Sequence, residues 1–162
     1  MKPIIQKLWM FIALLCVSVT ASAYDFEEDG IRYNVISHVD FTVETTSSPN
    51  AKISQEGVLD IPDSVKYNGR TLSVIKIGKN SFQNSSVKTV NIGKAVKEIS
   101  DNAFSDCQNL NSVCADSIKV IGHSAFANCP SLSDVTVGPK LNAIGDYAFV
   151  GCSSLKEIIA VR

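Results

Sequence analysis

The sequence predicts an α/β repeat fold, a short solenoid in which each unit supplies one strand and one short helical turn, with a β-hairpin cap over its N-terminal end. Three observations predict it. Four consecutive segments align with one another at an almost fixed spacing, and such a period is a signature of stacked repeats. Each segment carries two hydrophobic periods, one helical and one strand-like. The region before them alternates apolar and polar residues around an Asn-Gly pair, a strong hairpin signal.

The four segments begin at Ile77, Ile99, Ile121 and Ile144, with steps of 22, 22 and 23 residues (99−77, 121−99, 144−121). Phe82, Phe104, Phe126 and Phe149 keep the same steps. In the second segment Ala103, Cys107 and Leu110 follow the i, i+4, i+7 spacing of one face of a helical turn, with Phe104 beside them. Leu110, Val113 and Ala115 then give an L-x-x-L-x-L pattern, that of a short strand with alternate residues pointing inward. Leu132-Val135-Val137 and Leu155-Ile158-Ala160 repeat it, and Val87-Val90-Ile92 does so after a one-residue deletion. A strand and a turn cannot bury their own apolar faces, so stacked units must share one core.

Before the repeats, Ile31-Tyr33-Val35 and Phe41-Val43 alternate, and Val65-Lys66-Tyr67-Asn68-Gly69-Arg70-Thr71 reads as a hairpin. This segment, residues 24–76, is expected to be the cap, with residues 77–162 forming the repeats. Thr45 to Lys52, rich in Thr, Ser, Pro and Asn, is the expected exposed loop.

Met1 to Ala23 reads as a secretory signal, residues 1–23. Lys2 and Lys7 make a positive start, Leu8 to Val19 an apolar stretch, and Ala21-Ser22-Ala23 a small-residue cleavage site that leaves Tyr24 first. The apolar run is shorter than the roughly 20 residues a membrane span needs, and no second run follows it. Cys16 raises a lipid-attachment alternative, weakened by Leu15 where a small residue is expected. The chain is expected to be secreted or held at the cell surface, without a membrane span once the signal is removed. Removal of the two signal lysines leaves 13 Lys+Arg against 16 Asp+Glu, a net charge of −3 (13 − 16). With no basic cluster, nucleic acid is not an expected partner.

An isoleucine-glycine pair, then alanine-phenylalanine, then cysteine, then leucine-x-x-isoleucine resembles the BspA-like leucine-rich repeats of bacterial and some protozoan surface proteins. The resemblance covers Ile77 to Arg162, and the Ala-Phe-x-x-Cys core recurs at Ala103, Ala125 and Ala148. The first repeat departs from it, with Ser81 for the alanine and Ser85 for the cysteine. The resemblance implies adhesion-type binding of a protein, such as a host matrix component or another surface protein.

Candidate chemistry is sparse. Cys107, Cys129 and Cys152 share one repeat column, read as buried structural thiols because spacings above twenty residues match no C-x-x-C metal site. Cys114 lies between inward residues and should face solvent. His38 has no recognisable partner, and His123 aligns with Lys79, Asp101 and Asp146 at a variable turn position, so an enzyme is not expected. Asp25, Glu27, Glu28 and Asp29 form an acidic run without the ordered ligand spacing of a calcium loop. No cofactor is expected.

What remains for recognition is the outward strand face, since stacked strands make one extended surface. Alternation places Thr89, Ser112, Asp134 and Glu157 in one row and Asn91, Cys114, Thr136 and Ile159 in the next. A carbohydrate-binding accessory role is the alternative, for which Tyr24, Tyr33, Tyr67 and Tyr147 are too dispersed in sequence to suggest a stacking platform. The last strand, Leu155 to Val161, is expected to leave an unpaired edge that contacts either a second copy end to end or a partner supplying the missing cap.

Overall fold

Inward Val90, Val113 and Val135, each flanked by more polar outward residues, set the register of the array. Period-two alternation sends those side chains to the core and their neighbours to solvent. The structure, a computed structural model, describes residues 24–161. The expected secretory signal, residues 1–23, and Cys16 within it lie outside that span.

The described residues form thirteen strands: β1 (Phe26–Glu28), β2 (Ile31–Ser37), β3 (Thr42–Thr46), β4 (Val58–Ile61), β5 (Ser64–Tyr67), β6 (Arg70–Ile77), β7 (Thr89–Ile92), β8 (Glu98–Ile99), β9 (Ser112–Ala115), β10 (Val120–Ile121), β11 (Asp134–Val137), β12 (Ala143–Ile144) and β13 (Ile158–Ala160). They make two sheets. One runs β1-β2-β3-β6-β8-β10-β12, with β5 paired to β6, and the other runs β13-β11-β9-β7-β4. From β7 onward each repeat gives a four- or three-residue strand to the second sheet and a two-residue strand to the first. All of the pairings between repeats are parallel. Between the sheets lies one core that includes Tyr33, Leu59, Phe104, Leu110, Ile121, Phe126 and Leu132.

The expected helical turn is corrected by the structure. Among the described residues no segment is helical, and the stretch from Asp101 to Asp106 is a run of tight turns. Two residues in every repeat hold left-handed backbone, which interrupts a right-handed helix. They are Asn80 and Asn84, Asn102 and Asp106, Ser124 and Asn128, and Tyr147 and Gly151, with φ between 52° and 77°. Asn, Asp and Gly tolerate this conformation best. The released backbone groups pair between repeats instead. The Phe82 N–H donates to the Ala103 carbonyl, Phe104 to Ala125 and Phe126 to Ala148, each at 2.8 Å. The turn wall is thus hydrogen-bonded from coil to coil much as the sheets are.

The expected hairpin cap is also corrected. The hairpin itself forms, with Tyr67 opposite Arg70 across Asn68 and Gly69, both at positive φ. It does not sit over the end of the array as a separate lid. Its second strand, β6, belongs to the ladder and pairs in parallel with β8 on one side and β3 on the other. β4 pairs in parallel with β7 in the opposite sheet, so residues before Ile77 already take part in the strand ladder. The reason is that β6, at eight residues, is long enough to pair with the hairpin near its start and with the ladder near its end.

Ser81, which breaks the alanine column, makes the joint between the two regions. The buried Thr45 hydroxyl donates to Ser81 Oγ at 2.9 Å, and Ser81 Oγ donates to the Gly78 carbonyl at 2.7 Å. A Cβ on Gly78 would lie 2.2 Å from the Thr45 carbonyl oxygen, so the close approach of β3 requires glycine there.

Candidate binding surface

The outward face of the β4-β7-β9-β11-β13 sheet carries the two rows expected from sequence. Thr89, Ser112 and Asp134 are direct cross-strand partners, as are Asn91, Cys114, Thr136 and Ile159. Val90, Val113 and Val135 between them are fully buried. The four-residue strands therefore hold the rows rigidly at the inter-strand spacing of about 4.8 Å. Glu157 lies immediately before β13.

The rows extend further than the sequence alignment reached. Val58 pairs with Thr89 and Asp60 with Asn91, and the Asn91 amide donates to Asp60 Oδ1 at 2.7 Å. The missed signal was Leu59-Asp60-Ile61, which matches Val90-Asn91-Ile92. It was hidden because the β5–β6 hairpin stretches this step to 31 residues (90−59), against 23 and 22 for the next two (113−90, 135−113).

Cys114 is exposed on this face, while Cys107, Cys129 and Cys152 are buried free thiols. Burial, and then the Asp116 carboxylate 3.6 Å away, pushes the Cys114 thiol above its ordinary range. It is therefore a weak nucleophile at neutral pH. Each buried thiol donates to the phenylalanine carbonyl of the preceding repeat: Cys107 to Phe82 at 3.2 Å, Cys129 to Phe104 at 3.1 Å and Cys152 to Phe126 at 3.0 Å. The neighbouring Cys107 thiol, together with burial, pushes the Cys129 thiol up to about 12.

The remaining candidates are not brought into one site. His123 is exposed in the turn wall, its backbone N–H bonded to Asp101 Oδ1 at 3.0 Å and its ring edge-on to Tyr147. His38 is exposed at the turn between β2 and β3. The acidic run is drawn apart. Glu27 pairs with Arg32 at 3.1 Å, Asp29 lies 3.5 Å from Lys52, Asp25 accepts from the Val35 N–H and Glu28 from the Lys66 N–H. Among the described residues no cluster of three metal-ligating side chains forms. Dispersal of the tyrosines in sequence is not dispersal in space, since Tyr33 and Tyr67 both stack on Phe26, with ring centroids 5.2 Å and 4.3 Å away. Tyr33, however, is buried. At the far end, β13 is the outer strand of its sheet, and Ile144, Tyr147, Val150 and Ile159 are exposed around it.

The model of the BspA type leucine rich repeat region matches residues 60–161 in six copies. The chain belongs to this family. No curated protein matches it. Among solved structures, it is similar to a leucine-rich repeat protein from Bacteroides capillosus, with a TM-score of 0.74 and 23% identity over 85% of this chain and 98% of that one. A leucine rich cell surface protein from Faecalibacterium prausnitzii follows, with a TM-score of 0.63 and 23% identity over 84% of this chain and 42% of that one. A leucine-rich repeat protein from Bacteroides ovatus gives 0.55 and 28% over 85% and 41%. The BspA-type chain thus spans less than half the length of the latter two. Among its described residues no helix is long and apolar enough to cross a membrane.

Proposed function

We propose that this BspA-type chain is a secreted or cell-surface, non-enzymatic binding protein, and that its outward strand rows take a protein ligand in an adhesion or protein–protein interaction role. Residues 1–23 direct export, residues 24–76 form the N-terminal β unit, and residues 77–162 carry the regular repeats. The observation that carries the reading is the register of the strand face: small polar residues and one aliphatic residue stand in two rows across the sheet, over neighbours that are fully buried. Thr89, Asn91, Ser112, Cys114, Asp134, Thr136, Glu157 and Ile159 form the contact surface. Such a face is fixed before the ligand arrives, so little side-chain ordering opposes binding. The ligand is a host matrix component or another surface protein.

The test is a pull-down with the chain from Tyr24 onward against extracellular-matrix and cell-surface extracts, run beside a variant carrying Asn91→Arg and Thr136→Arg. A protein retained by the native face and lost from the variant supports the reading. Equal retention by both would contradict it.

A further inference from the structure

The turn between β2 and β3 carries a second feature, unrelated to the strand rows. Phe41 holds left-handed backbone with φ of 52°, a conformation that a bulky side chain rarely adopts. Its neighbours fix it there. The Ser73 N–H donates to the Phe41 carbonyl at 2.8 Å, and the Asp40 N–H donates to Ser37 Oγ at 3.0 Å. Strain held in place by surrounding bonds is a reason to look for a binding role.

The strained turn and the end of β2 present apolar groups to solvent. Val39 is 84% exposed, Ile36 48% and Phe41 39%. Beside them lies a shallow recess of about 280 Å³ lined by His38, Phe41, Tyr67, Asn68, Arg70 and Leu72. The Arg70 guanidinium lies over the Phe41 ring, 5.1 Å from its centroid. Among the described residues, no carboxylate pairs with Arg70, and none lines the recess. The turn's own acid, Asp40, accepts from the Ser37 hydroxyl at 2.9 Å.

A guanidinium centred over an aromatic ring keeps N–H groups available, and these can grip a carboxylate with two parallel hydrogen bonds. Val39, next in sequence to His38 of the recess, and Ile36 near the end of β2 supply exposed aliphatic surface at the same corner. One ring face of Phe41 is taken by Arg70, and Phe26 stacks on Tyr67, so the recess is poor in open aromatic faces for a sugar ring. We propose that this recess is a second binding site, specific for an extended peptide segment in which an Asp or Glu side chain sits next to an aliphatic one. The carboxylate bonds to Arg70, and the aliphatic side chain covers Val39 and Ile36. The site works independently of the strand rows.

The test is selection from a random peptide display library on the chain from Tyr24 onward. The expected result is enrichment of peptides with Asp or Glu beside Leu, Ile or Val. A synthetic peptide of that kind should bind at least about tenfold more weakly when its acid is changed to the amide, the size of one lost charge-assisted contact. Arg70→Ala and Val39→Ser should each weaken it similarly without moving the thermal midpoint. The amide peptide keeps the test decisive even if a variant misfolds. The Asn91→Arg, Thr136→Arg protein should bind the peptide as the native chain does, which separates this site from the strand face. Absence of enrichment, enrichment without acids, or binding indifferent to the amide change would overturn the proposal. So would Arg70-dependent binding of an oligogalacturonate without binding of acidic peptides, which would assign the recess to a sugar.

Discussion

The rings of Phe104 and Phe126 lie 5.4 Å apart between centroids with their planes 2° from parallel, and Phe82 and Phe149 continue the column at 5.3 Å on either side. Each ring fills the space that the next coil requires, so the column sets the packing of the array. Phe126→Ala should cost about 3–5 kcal/mol, because the coils on both sides prevent the cavity from closing. Chemical denaturation checks this. An unchanged midpoint would mean that the column does not carry the core. Phe149, only partly buried, should cost less on the same change.

The Thr45–Ser81 hydrogen bond should behave as a coupled pair. Ser81→Ala leaves a buried Thr45 hydroxyl without its acceptor and should destabilise by about 1–3 kcal/mol. Adding Thr45→Val removes the stranded hydroxyl and should recover much of that loss. Stability measured on both single variants and the double variant gives the coupling, and strict additivity would refute it.

Much of this fold was legible in the sequence, and the part that was not has a specific cause. The phenylalanine steps fixed the repeat, and alternation about Val113 and Val135 matches the cross-strand register of both outward rows except at Glu157, which lies just before β13. The i, i+4, i+7 pattern at Ala103, Cys107 and Leu110 suggested a helix because successive tight turns bury the same positions. The contrary signal lay two residues either side of each phenylalanine. Asn80 and Asn84, Asn102 and Asp106, and Ser124 and Asn128 are polar residues suited to caps and turns, and they hold left-handed backbone. β4 was missed because the hairpin inserted after it broke the period. The recess at Arg70 was hidden because His38, Phe41 and Arg70 come from separate strand ends that only the fold brings together. Ligand identity is not encoded in repeat spacing.

Asp106 should contribute to acid sensitivity. It accepts from the Asn128 amide at 3.0 Å and from the Gln83 amide at 3.1 Å, and these bonds, Asn128 first, hold its carboxyl below the ordinary range. A depressed folded value means that the stabilisation is present above the unfolded value, about 3.9, and is lost as pH falls through the folded one. Asp106→Asn should flatten that part of the acid limb in thermal melts between pH 5 and about 2. An acid limb identical to that of the native chain would contradict the assignment.

Cys114 should alkylate slowly for an exposed thiol, since burial and Asp116 both raise its pKa. Asp116→Asn removes the charge and should speed modification by iodoacetamide at pH 8, with the rate–pH profile moving to lower pH. Cys107, Cys129 and Cys152 should stay unmodified until the chain unfolds. Equal rates for the native and Asp116→Asn chains would show that the carboxylate has no hold on the thiol.

Recognition by the strand face, as proposed, makes affinity for a captured protein ligand depend on that face. Three chains are compared by biolayer interferometry: the native one, Asn91→Arg with Thr136→Arg, and a turn-wall control, Gln108→Arg, whose side chain is exposed away from the strand rows. Placing a bulky charge in the centre of a contact surface costs at least about tenfold in affinity. That loss is expected for the strand-face variant alone, with native affinity retained by the control and equal thermal midpoints in all three. Native affinity in the strand-face variant, with loss in the turn-wall control, would contradict it.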